Sequence, residues 1–148
     1  MKYGNLVLEK HDFLVTKKFI RQNLTWEDYA HKNVLETLDL NLNKAIVLDA
    51  GYMPPDVVRI YSKVTIVGSL GQRDSFRLVT PDKANVKGDQ ISVVSSLGAS
   101  IIGFSKGDRI IYGLPGNKIS FEIEKVEQAR QKVELYISDG DNKWISQL

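Results

Sequence analysis

Cysteine is absent from this chain and histidine is scarce, with two among 148 residues. Without cysteine there is no disulfide scaffold, no thiolate zinc site and no thiol nucleophile. His11 and His31 are far apart in sequence and do not by themselves make a metal site. No apolar run approaches the length of a membrane span, and the opening "MKYGNLVLEK" lacks the apolar core of a signal peptide. The expected location is therefore the cytoplasm. A net charge of +2 is too small for a dedicated DNA-binding surface, which shows as a basic stripe. What remains is ordinary globular material, 43% hydrophobic and 26% charged, long enough to bury a core as one domain or two small ones.

Two kinds of periodicity follow one another. In "NLVLEKHDFLVTKKFIRQ" a short apolar run leads into a helical segment, with Phe13, Phe19, Ile20 and Leu24 on one side and Lys17, Lys18 and Arg21 on a solvated face. "LTWEDYAHKNVLETLDLNLNKA" is the clearest helix, with Trp26, Ala30, Val34, Leu38, Leu42 and Ala45 repeating every three to four residues. Thr25 is placed as its N-cap, Asp28 as the capping-box acid, and Leu24 and Tyr29 as a hydrophobic staple. The short connection predicts an antiparallel hairpin, a short coiled coil. Gly51, Pro54 and Pro55 then end helical structure.

Beyond that boundary the pattern is of short strands and turns. "KVTIVGSL", "SFRLVT", "ISVV", "RIIYGL" and "KISFEIEKV" read as four or five antiparallel strands, the last two flanking the hairpin signal Pro115-Gly116-Asn117. The small residues of "SSLGASIIG" suit one short helix packed closely on the sheet and ended by Gly103. Gly107-Asp108 reads as a turn, with Asp108 bonding nearby backbone amides. The tail 129–148 contains the strand-like "KVELYIS" and a turn-like "SDGDN".

Three of these stretches carry a resemblance. "SFRLVTPDKANVKGDQIS", "ISVVSSLGASIIGFSKGDRI" and "LPGNKISFEIEKVE" resemble, in order and spacing, the C-terminal domain of the bacterial GreA/GreB transcript elongation factors, over roughly half the chain. "MPPDVVRIYSKVTI" is most similar to the short-armed branch of that family typified by the regulator of nucleoside diphosphate kinase, the Rnk-like proteins. The resemblance implies an α+β chain: a helical hairpin arm at 1–50, an FKBP-like domain of antiparallel strands with one short helix at 51–128, and a tail at 129–148. With so few residues before Ala50, helices of about 15 to 20 residues give an arm of roughly 25 to 30 Å. The resemblance also implies a partner, RNA polymerase, with the C-terminal domain at the rim of the secondary channel and the arm entering it. No DNA sequence reading, membrane contact, metal or cofactor is expected. Ser95, Ser96, Leu97 and Gly98 match the family's polymerase-facing Ser-Pro segment, with Ser96 where proline is usual.

The family's arm tip carries two acids that support a second Mg²⁺ in RNA cleavage. The candidates here are Glu27 and Asp28, beside Thr25 and Trp26. Helix-start chemistry explains the same acids, since first-turn carboxylates stabilise a helix by about 0.3–1 kcal/mol. That explanation is favoured by Thr25, by the staple, by the short arm and by the absence of the family's Glu-Asn-Ala-Glu tip pattern. The leading expectation is a non-enzymatic polymerase-binding regulator that competes with Gre-type factors without stimulating cleavage. The alternatives are a cleavage factor using the tip acids, and an FKBP-like prolyl isomerase. Against the latter, Tyr61, Phe76, Phe104, Tyr112 and Phe121 mostly fall at core positions, and fold alone does not carry activity. His11 is expected at a helix start rather than as a base.

Overall fold

The computed structural model describes residues 1–23 and 29–129. Strand β1 (Val7–Glu9) leads directly into helix α1 (Lys10–Asn23); helix α2 (Tyr29–Leu42) returns to strand β2 (Ile46–Leu48). Then come β3 (Lys63–Gly68), β4 (Arg73–Val79), β5 (Gln90–Ser92), the short helix α3 (Ser96–Ile101), β6 (Arg109–Leu114) and β7 (Asn117–Glu127). The α+β expectation holds, with the helical pair preceding the sheet.

The main sheet has five strands in the order β5-β4-β3-β7-β6. β3 pairs antiparallel with β4 and β7, and β7 antiparallel with β6. One pairing differs from the all-antiparallel expectation: β5 runs parallel to β4, Arg77 opposite Gln90. The cause is the intervening segment, which crosses back through two 3₁₀ turns, Pro81–Lys83 and Val86–Gly88, instead of closing a hairpin. The turn after β3 also starts earlier than predicted. Gly71 adopts φ +83° and Arg73 and Asp74 already belong to β4. The β6–β7 connection is the expected tight hairpin, Leu114 opposite Asn117, with Gly116 at φ +87°.

A second, two-stranded sheet was not foreseen. β1 and β2 flank the helical pair and lie parallel, Val7 opposite Ile46 and Glu9 opposite Leu48. Three-residue strands leave too little alternation to be read, and their pairing partners lie across the whole hairpin. This clamp binds the base of the arm to the larger domain: the Ile46 amide donates to the Leu6 carbonyl (2.8 Å) and the Val7 amide to the Gly103 carbonyl (3.1 Å).

α1 and α2 have 14 residues each, so each is about 21 Å long. They are antiparallel, since Lys17 in α1 meets both Asp39 (3.6 Å) and the Asn43 side chain (3.0 Å) near the end of α2. In α2 the predicted stripe is buried at Val34, Leu38 and Leu42, joined by the unpredicted Leu35. In α1 the buried residues are Asp12, Val15, Thr16 and Ile20, while Phe13 and Phe19 are only partly covered. The inward face therefore passes through two polar residues, which is why hydrophobic periodicity misplaced it. Thr25, Trp26, Glu27 and Asp28, with the staple residue Leu24, lie outside the described residues, as do tail residues 130–148.

Carboxylates anchor the start of α1, while Asp12 Oδ1 and Thr16 Oγ1 are buried with no hydrogen-bond partner among the described residues. Buried Glu9 caps the helix, its carboxylate accepting from the His11 (2.8 Å) and Asp12 (3.0 Å) amides and meeting His11 Nδ1 at 2.7 Å. Asp12 Oδ2 accepts from the Ile60 amide (3.1 Å) and faces Arg59 Nε at 3.7 Å, tying the arm to the segment before β3. Burial pushes the Asp12 carboxyl up to about 7; Glu9 adds to the rise, and Arg59 and the Ile60 amide oppose it.

The folded carboxyl thus holds its proton more tightly than the unfolded chain, whose value is near 3.8. Stability from this group is complete below the unfolded value and is lost as pH rises to about 7. We expect the stability of the native chain relative to Asp12→Asn, measured by urea unfolding, to fall by on the order of 4 kcal/mol between pH 4 and pH 7.5. A pH-independent difference would contradict the assignment.

Candidate functional site

The segment Ser92 to Gly98 joins β5 to α3 and is held from several sides. The Val93 amide donates to the Val79 carbonyl (2.8 Å), continuing the β4–β5 contact. The Ser92 carbonyl accepts from both the Ser95 amide (3.0 Å) and the Ser95 hydroxyl (2.6 Å). The Ser92 hydroxyl accepts from the Val94 amide at 3.1 Å. Ser95 is the N-cap of α3, its oxygen accepting from the Gly98 amide at 3.0 Å.

These contacts sort the four predicted docking residues. Ser95 and Gly98 build the loop: Ser95 spends its hydroxyl internally, and Gly98 is buried. A Cβ on Gly98 would lie 2.0 Å from the Ser92 carbonyl oxygen and 2.9 Å from Leu78 Cδ1. Small residues in this stretch are therefore a requirement of close approach, as the sequence indicated. Ser96 and Leu97 are partly exposed, and their side chains make none of these hydrogen bonds. Ser96 occupies the first helical position, where proline is also well tolerated, so serine there preserves the helix start.

α3 ends as predicted, with Gly103 at φ +81°. Asp108 is structural: its carboxylate accepts from the Ser105 amide (2.8 Å) and the Lys2 amide (2.9 Å). His11 sits at the start of α1 against Glu9. Among the described residues no cluster of His, Asp or Glu is arranged to hold a metal ion, and no helix is long and apolar enough to cross a membrane.

One participant was missed. His31, in the first turn of α2, contacts the Val94 carbonyl through Nε2 at 2.5 Å. It joins the arm to the loop before α3, across 63 positions of sequence. No local signal announces such a contact. α2 continues along the domain, burying Val34, Leu35, Leu38 and Leu42 and lining a cleft with α3 and β6.

Residues 53–128 match the family model described as "Transcription elongation factor, GreA/GreB, C-term". The chain is 30% identical over 110 residues to the transcription elongation factor GreA of Syntrophus aciditrophicus, covering 72% of this chain and 62% of that one. It is 32% identical over 100 residues to the regulator of nucleoside diphosphate kinase of Escherichia coli K12, covering 67% and 73%. The chain spans about three-fifths of the length of the GreA relatives it matches. In fold it is similar to a GreA/GreB structure from Nitrosomonas europaea, with a TM-score of 0.66 at 22% identity, covering 83% of this chain and 98% of that one.

The loop geometry makes two substitutions informative. Gly98→Ala should cost about 3 kcal/mol in chemical unfolding, because the added methyl meets rigid backbone. Ser95→Ala should cost about 1 kcal/mol, the usual loss of an N-cap. Equal and negligible effects would mean that α3 does not need its close seat on the sheet.

Proposed function

The chain belongs to the GreA/GreB family, and on that footing we propose that it is an RNA polymerase-binding regulator that occupies the secondary-channel rim without stimulating RNA cleavage. In this reading the module 51–128 docks through Ser96 and Leu97, on a loop shaped by Ser95 and Gly98. The arm at 1–50 blocks the channel entrance and excludes Gre-type cleavage factors. The module is read as FKBP-like, a sheet seated on one short helix. Its aromatics Tyr61, Phe76 and Phe121 are buried in the core, which leaves little for a prolyl-isomerase pocket.

The observation that carries the proposal is the arm. Helices of 14 residues span only about 21 Å, and α2 spends its apolar face on the module while His31 ties its first turn to Val94. In this reading the arm brings no acids to the remote catalytic metal, and the family's Glu-Asn-Ala-Glu tip pattern is absent from the sequence. Cleavage chemistry would need carboxylates at that metal.

The test uses core polymerase stalled on backtracked RNA with a Gre-type cleavage factor present. Added protein should suppress dinucleotide release in a dose-dependent way and produce none alone. Leu97→Glu should raise the concentration needed at least tenfold, consistent with loss of about 1.4 kcal/mol or more of binding. Asp28→Ala should leave suppression unchanged. Release by the protein alone that disappears in Asp28→Ala would refute the proposal.

A further inference from the structure

β6 is an edge of the sheet, with β7 its one neighbour among the described residues. Which of its backbone groups face outward follows from the register. The Ile123 amide donates to the Asp108 carbonyl (3.0 Å) and the Gly107 amide to the Ile123 carbonyl (2.7 Å). Counting by twos from there, Ile110 opposite Phe121, Tyr112 opposite Ile119 and Leu114 opposite Asn117 are the pairs that exchange hydrogen bonds with β7. The N–H and C=O groups of Arg109, Ile111 and Gly113 therefore point away from β7. No described residue bonds to them.

The usual protections of an edge are mostly missing. β6 contains no proline, and Ile111 is 59% exposed at its centre. What stands across from the edge is α2, with a cleft of about 390 Å³ between them. Val34, Leu38, Ala99 and Phe104 supply apolar surface in it. Asn33, Thr37 and Asn41, spaced four apart on α2, supply a polar wall. Arg109 and Lys118 are the charged residues of the lining, both exposed, and neither forms an ion pair with a described residue. Among the described residues no carboxylate lines the cleft.

We propose that this cleft binds an extended, acidic peptide segment of a partner protein, which adds to the open edge of β6 as a sixth strand. Three outward backbone pairs at alternate residues span about 13 Å, the repeat of a β-strand rather than of a compact small molecule. Main-chain bonds supply affinity; alternate apolar side chains turn onto Val34, Leu38 and Phe104. Acidic side chains meet Arg109 and Lys118, and the described lining, which holds these two cations and no acid, disfavours a basic segment. The inference stands apart from polymerase docking, since Ser96 and Leu97 are not in the cleft.

The experiment is an amide-shift titration of the full ¹⁵N-labelled chain with the synthetic peptide acetyl-Glu-Val-Glu-Val-Glu-amide. The Ile111 and Gly113 amides should shift and saturate, and acetyl-Lys-Val-Lys-Val-Lys-amide should bind at least tenfold more weakly. Arg109→Glu with Lys118→Glu should reverse that preference. Thr37→Trp, which fills the cleft from the helix side at an exposed position, should weaken the acidic peptide at least tenfold with an unchanged melting temperature. Three outcomes would overturn the proposal. The first is no shift at those amides, and the second is equal response to both peptides. The third is slow hydrogen exchange at Ile111 and Gly113 in the free chain, which would assign the edge to the chain's own tail or, if dependent on concentration, to a second copy.

Discussion

Helix α3 rests against a carbonyl group with no side chain between them. At Gly98 the helix backbone comes so near to the Ser92 carbonyl oxygen that a Cβ would stand 2.0 Å from it. Such closeness is available only to glycine, and it sets the height of α3 above β4 and β5. Ile101 and Ile102 are then fully buried, and the chain leaves the helix at Gly103 in a left-handed conformation. Displacing α3 outward would uncover this core and move everything attached to its end.

What is attached is the arm. The Gly103 carbonyl accepts from Val7, its amide donates to the Val58 carbonyl (3.0 Å), and the Val58 amide donates to the Phe104 carbonyl (2.8 Å). One residue thus joins β1 to the segment entering β3. The parallel β1–β2 clamp, the Asp12 contact with Ile60 and the packing of α2 on α3 build outward from that junction. The described part of the hairpin is held at its base and at His31, whose ring meets Val94 of the loop before α3.

Much of this was legible in the residues. The small-residue helix, its glycine end, the β6–β7 hairpin and the structural role of Asp108 each rest on a local rule, and each stands where it was expected. In the described part of the second helix the expected Val34, Leu38 and Leu42 are buried, joined by the unanticipated Leu35. The first was harder, because Asp12 and Thr16 point inward and a hydrophobicity count treats them as surface. Of the four candidate docking residues, only packing separates the loop builders Ser95 and Gly98 from the partly exposed Ser96 and Leu97.

Sequence by itself determined the element types, the tight turns and the family likeness, because these depend on neighbours within a few positions or on residue order. Tertiary structure alone decided the parallel seating of β5, the β1–β2 clamp, the His31–Val94 contact and the open edge of β6 facing α2. Each of those joins backbone or polar groups distant along the chain, through bonds that almost any side chain permits, and so leaves little trace in the composition of either partner.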